Sequence, residues 1–200
     1  MTVNVRAARH DDRDVAVPLL LDAGERLLTT IFGNSDRQAA LDYLMFAWGL
    51  GGGQYGFKNH WVAESHSEIK GLITCWHDGL PDDFDRVTLT SITDHYGLDK
   101  SIDVVMRSQQ FSAALHPPSS TELAVGHLAV CHEARRQQVG SHLLAHMLEK
   151  ASSLRKFAVV LDVEASNTPA VAFYKAQGFG EHRTCPPFIQ MIKSVAVDGQ

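Results

Sequence analysis

Two apolar, strand-like runs separated by one amphipathic helix constrain this chain more than anything else in it. Leu123–Val130 and Phe157–Val163 are each apolar enough to be buried on both faces, as strands inside a helix-covered sheet are. Between them, Leu143, Leu144, Met147, Leu148 and Ala151 fall on one helical face, with His142, His146 and Glu149 elsewhere. Two such strands joined through a helix predict a parallel pair with a right-handed crossover, and so an α/β fold. A second helix, from about Asn167 to Phe179, follows the second strand.

The remaining elements are arranged around that core. Thr2–Ala8 alternates as an opening strand, Asp11 and Asp12 offer an N-cap, and Val15, Leu19, Ala23, Leu27 and Ile31 predict a helix ending near Gly33. Ser35 with Gln38 reads as a capping box for a helix bearing Leu41, Leu44, Met45 and Trp48. The run Gly51–Gly53 follows no strand and precedes no Lys-Ser/Thr, so a flexible loop is the expectation rather than a phosphate cradle. His60–Glu64 and Glu68–Trp76 form a hairpin around Ser65–Ser67, and two final strands, near 181–184 and 188–195, flank Pro186-Pro187. Val197–Gln200 is expected to fray. The length, 200 residues at 44% hydrophobic, suits one domain spanning 1–200.

The turn after the first strand is polar and carries Arg135 and Arg136 directly before a helix start. Main-chain N–H groups there lack intrahelical partners and the helix dipole is positive, so the turn suits an anion such as a pyrophosphate. Plain solvated charge is the competing reading for both arginines. In this stretch, Arg135-Arg136-Gln137-Gln138-Val139-Gly140-Ser141, the chain resembles the GNAT (Gcn5-related) N-acetyltransferase superfamily, whose acetyl-CoA motif is Arg or Gln, two residues, Gly, one residue, then Gly or Ala. Gly140 matches the final glycine, whereas Gln138 replaces the first and can still present its N–H if φ there is negative. Downstream, Asn167, Ala170, Phe173, Tyr174 and Gly178-Phe179 match the superfamily's second signature.

That resemblance implies a mixed, partly splayed sheet of six to seven strands flanked by helices, with direct acetyl transfer from acetyl-CoA to a primary amine of a small molecule or peptide. It assigns the main chain of Leu128, Ala129 and Val130 to the pantetheine arm and the N–H groups of Gln137, Gln138, Val139, Gly140 and Ser141 to the pyrophosphate, with Asn167 tying the split between the fourth and fifth strands. It also makes Tyr174 the acid toward the coenzyme A thiolate. Without it, Tyr174 is a core-edge tyrosine and Asn167 a helix N-cap ahead of Pro169. No base is marked as clearly: Glu122, acting through water, shares strand parity with Ala124 and Gly126, which do not titrate, and His127 and Glu164 are alternatives. A rival reading from another class is a non-catalytic coenzyme A sensor or interaction module, motivated by Gln138 and the unmarked base.

Metal chemistry is not expected. His142 and His146 stand at i, i+4, but no HExxH is present, and Cys75, Cys131 and Cys185 form no CxxC pair, consistent with reduced thiols in a cytoplasmic protein. The N-terminus resembles neither a signal nor a transit peptide, and no 18-residue apolar run predicts a membrane span. Net charge of −5 argues against a nucleic-acid partner. Finally, His77–Ser120 inserts over forty residues between the third and fourth strands and reads as two helices, with Ile102, Val105 and Met106 as the apolar stripe of the second. Its net acidic character suits a wall for a cationic acceptor; a structural flap or a subunit contact, and so a homodimer, is the competing role.

Overall fold

A computed structural model describes residues 2–196; Val197–Gln200, expected to fray, lie outside them. The strands are β1 (Asn4–Ala7), β2 (His60–Ser65), β3 (Glu68–Trp76), β4 (Glu122–Val130), β5 (Ala158–Glu164), β6 (Gly180–Cys185) and β7 (Phe188–Ser194). They form one seven-stranded sheet in the order β1-β2-β3-β4-β5-β7-β6. The flanking helices are α1 (Arg13–Ala23), α2 (Glu25–Gly33), α3 (Arg37–Leu50), α4 (Phe84–Tyr96), α5 (Leu98–Ser112), α6 (Val139–Ser153) and α7 (Thr168–Ala176). The sheet is mixed: β4 and β5 are parallel, as their crossover through α6 requires, while β1–β2, β2–β3, β5–β7 and β6–β7 are antiparallel. The parallel ladder is short, Glu122–Ala124 against Ala158–Val160, in strands of 9 and 7 residues.

The chain divides into two compact units, and both β3 and β4 run through the division. The first comprises Met1–Thr74, Leu80–Gln110 and His127–Leu143. Its core holds Leu20, Leu21, Leu28, Tyr43, Leu44, Trp48, Leu72 and Ile73, all with no solvent exposure. Burying each such side chain stabilises the fold by roughly 1.5–3 kcal/mol before chain entropy is counted. The second comprises Cys75–Gly79, Phe111–Gly126 and Leu144–Gln200, with Leu123, Met147, Val159 and Met191 at its centre.

Several local expectations are corrected. The long first helix is two helices that change direction at Gly24, and the buried face runs through Ala16, Val17, Leu20, Leu21 and Leu28 while Val15 is exposed. Asp12 stands at the N-cap of α1 without a side-chain bond to that helix, because its carboxylate is held by Arg6 at 2.8 and 2.9 Å and by the Arg9 N–H at 2.6 Å, the latter closing a capping box on the 3-10 turn His10–Asp12. At α3 the cap is Asp36, whose carboxylate accepts from Gln38 N and Ala39 N, and Ser35 instead sits at φ 77° in the turn after α2. The β2–β3 hairpin turns through His66 and Ser67, both at positive φ, as a two-residue loop of matching twist demands.

The glycine run and the insertion depart from expectation together. Gly51 and Gly53 are buried, and a β-carbon on Gly53 would lie 2.9–3.0 Å from Thr88 of α4. The run is a docking seat for the insertion, not a free loop. On α5 the expected stripe faces outward: Ile102 and Met106 are exposed, and the inward residues are Ser101 and Val104. The larger apolar residues of that helix thus pointed to the wrong face.

Candidate functional site

The first unit contains the turn between β4 and α6. After β4, a single 3-10 turn at His132–Ala134 redirects the chain, with Cys131 N–H bonded to Lys70 O at 2.9 Å. Arg136 (φ 60°) and Gln138 (φ 65°) then both adopt the left-handed conformation, with Gln137 between them at negative φ. Alternation of this kind gathers successive N–H groups into a concavity that fits an anion. Gln138 thus does not take the negative φ that would suit a residue with a β-carbon. Gln138 keeps the backbone conformation natural to glycine, at a cost on the order of 1–2 kcal/mol for a residue with a β-carbon.

Helix α6 starts immediately, and its first turn is open. His142 N–H reaches Gln138 O at 3.0 Å, so Val139, Gly140 and Ser141 come before the first intrahelical bond and their N–H groups have no acceptor inside the helix. Val139 and Leu143 anchor this end in the core, at 1% and 0% exposure. Arg135, Arg136, Gln137 and Gln138 are all exposed. Gly71 of β3 makes the close approach possible: a β-carbon there would meet Ala129 O at 2.9 Å and Val139 Cγ1 at 3.0 Å. Leu128, Ala129 and Val130 are only half-buried, unlike Leu123 and Val125 earlier in the same strand.

Just before those three residues, His127 interrupts β4 at φ 47°. A β-carbon placed on Gly24 would lie 3.5 Å from its ring, and its ring centroid is 6.2 Å from that of Tyr55. Burial lowers its pKa to about 4, so the imidazole is neutral across ordinary pH. Nearby, fully buried His60 stacks on Trp48 at 5.0 Å and shares a 2.7 Å hydrogen bond with Thr74 Oγ1. Burial first, then the proximity of His127, lowers its pKa to about 3, with the Tyr55 backbone pulling the other way.

The second unit contains the remaining predicted site residues. Asn167 caps α7 by accepting from Ala170 N–H at 3.2 Å, with Pro169 in the first turn. Tyr174 lies in the last turn of α7, packed against Phe173 at 5.3 Å and Phe179 at 5.9 Å. Its hydroxyl makes no hydrogen bond to another described residue, and burial pushes its pKa up to about 12. Glu122 lies at the start of β4, half-buried, where its carboxylate accepts from Ser119 N–H at 2.9 Å. Gly126, two positions further along the same face from Ala124, is covered by Trp76, which a β-carbon would meet at 2.7 Å. Glu164 closes β5 opposite Phe188.

One residue escaped the sequence reading. Asp162 is half-buried in β5, and burial pushes its pKa up to about 6 against the opposing pull of His116. A carboxylate inside the otherwise apolar run AVVLDVE was the available signal. Cys75 and Cys131 are poor nucleophiles, since burial pushes Cys75 up to about 12 and raises Cys131 as well. Among the described residues, no group of three His, Cys, Asp or Glu side chains is placed to hold a metal, and no helix is long and apolar enough to cross a membrane.

Comparison with known proteins bears on these features together. The model of the acetyltransferase (GNAT) family matches residues 22–179. No curated protein matches in sequence. Among solved structures, one described as an acetyltransferase is 21% identical over 96% of this chain and all of its own, with a TM-score of 0.70. An N-acetyltransferase from Staphylococcus aureus Mu50 is 16% identical over 95% of this chain and 100% of its own, also at 0.70. The ribosomal-protein-S18-alanine N-acetyltransferase from Escherichia coli is 13% identical, covering 100% and 97%, at 0.52. At such identities the likeness is one of fold.

Proposed function

The chain belongs to the acetyltransferase (GNAT) family, and on that premise we propose that it moves the acetyl group of acetyl-CoA directly onto a primary amine of a small molecule or peptide. The observation that carries this reading is the turn from Arg135 to Ser141, whose left-handed residues and open helix start gather N–H groups where a pyrophosphate would be held. Gln137 to Ser141 supply main-chain donors there, and Arg135 and Arg136 supply charge. The half-buried main chain of Leu128 to Val130 takes the pantetheine arm as an added strand would. We read residues 1–200 as one catalytic domain, since the family match crosses both compact units.

Tyr174 is the proposed partner of the departing thiolate. Its phenol at about 12 lies well above an ordinary thiol near 8.5, so full proton transfer would be uphill by about 5 kcal/mol. It acts by donating a hydrogen bond to the thiolate sulfur while solvent supplies the proton. For the base there are two carboxylates: Glu122, which would work through water while holding Ser119 N–H, and Asp162, whose pKa of about 6 suits proton uptake near neutrality. No metal is required by this scheme. A cytoplasmic setting, with free thiols and neither membrane nor nucleic acid as partner, fits the same reading.

The occupied carboxylate of Glu122 favours a second reading, a coenzyme A sensor without turnover. Incubation with acetyl-CoA and a panel of amines, following release of free thiol, separates them. Thiol release that depends on the amine is the expected result; tight coenzyme A binding with no release from any amine would leave the sensor standing.

A further inference from the structure

Helix α2 needs help to stay where it is. At 9 residues it is shorter than an isolated helix that holds in water, and Gly24 before it provides no side-chain cap. At its other end the chain turns through Asn34 and Ser35, both at positive φ, and the carbonyl groups of the last turn require partners from outside the helix. Gly33 O is taken by Asp36 N–H at 2.9 Å. The two carbonyls before it are taken by the insertion. Tyr96 Oη, at the end of α4, donates to Phe32 O at 2.7 Å, and Arg107 Nε, on α5, donates to Ile31 O at 2.8 Å. Arg107 also sets a cation at the negative end of the α2 dipole.

The insertion is itself fixed from two further directions. Ser91 Oγ meets Tyr43 Oη at 2.9 Å, and Thr88 Oγ1 accepts from Gln54 N–H at 2.8 Å beside the buried glycine run. Such a segment is not built as a flap. What it holds is continuous with the strand that leads into the cofactor turn: Phe32 stacks on Tyr43 at 4.3 Å and meets Tyr55 at 5.1 Å, and Tyr55 lies beside His127, which directly precedes Leu128. A displacement of the last turn of α2 is therefore transmitted to His127, beside the main chain assigned to the pantetheine arm.

We infer that Arg107 and Tyr96 are positioning residues for the strand segment assigned to the pantetheine arm, acting through the carbonyls of Ile31 and Phe32, and that the insertion is a fixed brace for α2. This rests on the transfer reading above. A misplacement of about 1 Å beside a reacting centre can cost a hundredfold in rate, so a helix held by two side-chain bonds is a sensitive place to act.

The test uses the full chain with Arg107→Ala, Arg107→Lys and Tyr96→Phe, and with the exposed Arg86→Ala as control. Hydrogen exchange over residues 29–36 should quicken at least tenfold in Arg107→Ala and Tyr96→Phe, with β5 and β7 unchanged, and Arg107→Lys should recover most of the protection. Rates are measured over four amines: an aliphatic monoamine, a diamine, an arylethylamine and an unblocked peptide N-terminus. For the amine used best, Arg107→Ala should lower kcat/KM for acetyl-CoA about tenfold and weaken coenzyme A binding by calorimetry to a similar extent, and Arg107→Lys should recover most of both. Unchanged exchange in both variants overturns the brace. Unchanged coenzyme A affinity in Arg107→Ala overturns the positioning role, and quickened exchange that extends to β5 and β7 overturns it too, since it marks general damage to the fold. Absence of turnover in the wild type removes the transfer reading instead, and the exchange measurement alone then decides whether α2 is braced.

Discussion

Arg135 Nε donates to the carbonyl oxygen of Val130 at 3.4 Å, so a side chain assigned to the pyrophosphate leans back on the strand assigned to the pantetheine arm. The bond is long and the arginine exposed, which makes it easy to exchange for a phosphate oxygen. Arg135→Ala with Arg136→Ala is expected to weaken coenzyme A binding at least tenfold by calorimetry, given that hydrogen bonds to charged groups contribute about 1.5–3 kcal/mol each. The melting temperature should stay within a degree or two, since neither side chain is buried. Equal affinity in the double mutant would move the pyrophosphate elsewhere.

Tyr174→Phe isolates the leaving-group step. The ring keeps its packing on Phe173 and Phe179, and only the hydroxyl is lost. Turnover should fall about 5- to 30-fold, the scale of one hydrogen bond, with coenzyme A affinity unchanged. Because the phenol titrates near 12, the wild type should show no loss of kcat from this group below about pH 10. An unaltered kcat in the variant would leave Tyr174 as a packing residue.

The sequence was most legible where chemistry and local geometry coincide. The β2–β3 hairpin, the β4-α6-β5 crossover and the Asn167 cap all follow from short-range patterns, and the hairpin strand Glu68–Trp76 was bounded correctly at both ends. What was missed depends on partners distant in sequence. Ile102 and Met106 looked like a core stripe because helical spacing does not say which side meets α2, and the deciding residues were the polar Tyr96 and Arg107. Asp162 was hidden by its neighbours, because a single carboxylate in an apolar run says nothing of its pKa until its burial is known.

Gln138 holds a conformation that glycine adopts freely. Gln138→Gly removes the β-carbon strain, on the order of 1–2 kcal/mol, and adds about 0.5–1 kcal/mol of unfolded-chain entropy, for a net gain of about 0.5–1 kcal/mol. For a chain of this size that is a rise in melting temperature of roughly 1–4 °C, read by calorimetric scanning. Coenzyme A affinity should hold or improve, because the N–H stays in place. Gln138→Val should do the opposite on both counts, since a β-branched residue tolerates positive φ least. A stabilising valine would show that the turn relaxes out of the left-handed region when substituted, and that the N–H concavity is not a fixed feature.

The two carboxylates are separable by pH. A base must be deprotonated to act, so if Asp162 serves, kcat/KM falls as pH drops through about 6, and Asp162→Asn removes that limb together with most of the activity. If Glu122 serves through water, Glu122→Gln removes the activity and Asp162→Asn leaves it in place. Glu122→Gln keeps an acceptor for Ser119 N–H, so a loss of rate in it cannot be ascribed to an undone turn. Profiles of kcat/KM from pH 5 to 9 for the three proteins, with coenzyme A affinity measured alongside, decide between them. The expected result is an ascending limb near pH 6 in the wild type and in Glu122→Gln, and its disappearance in Asp162→Asn; a limb that survives in Asp162→Asn at undiminished rate would take Asp162 out of the proton path.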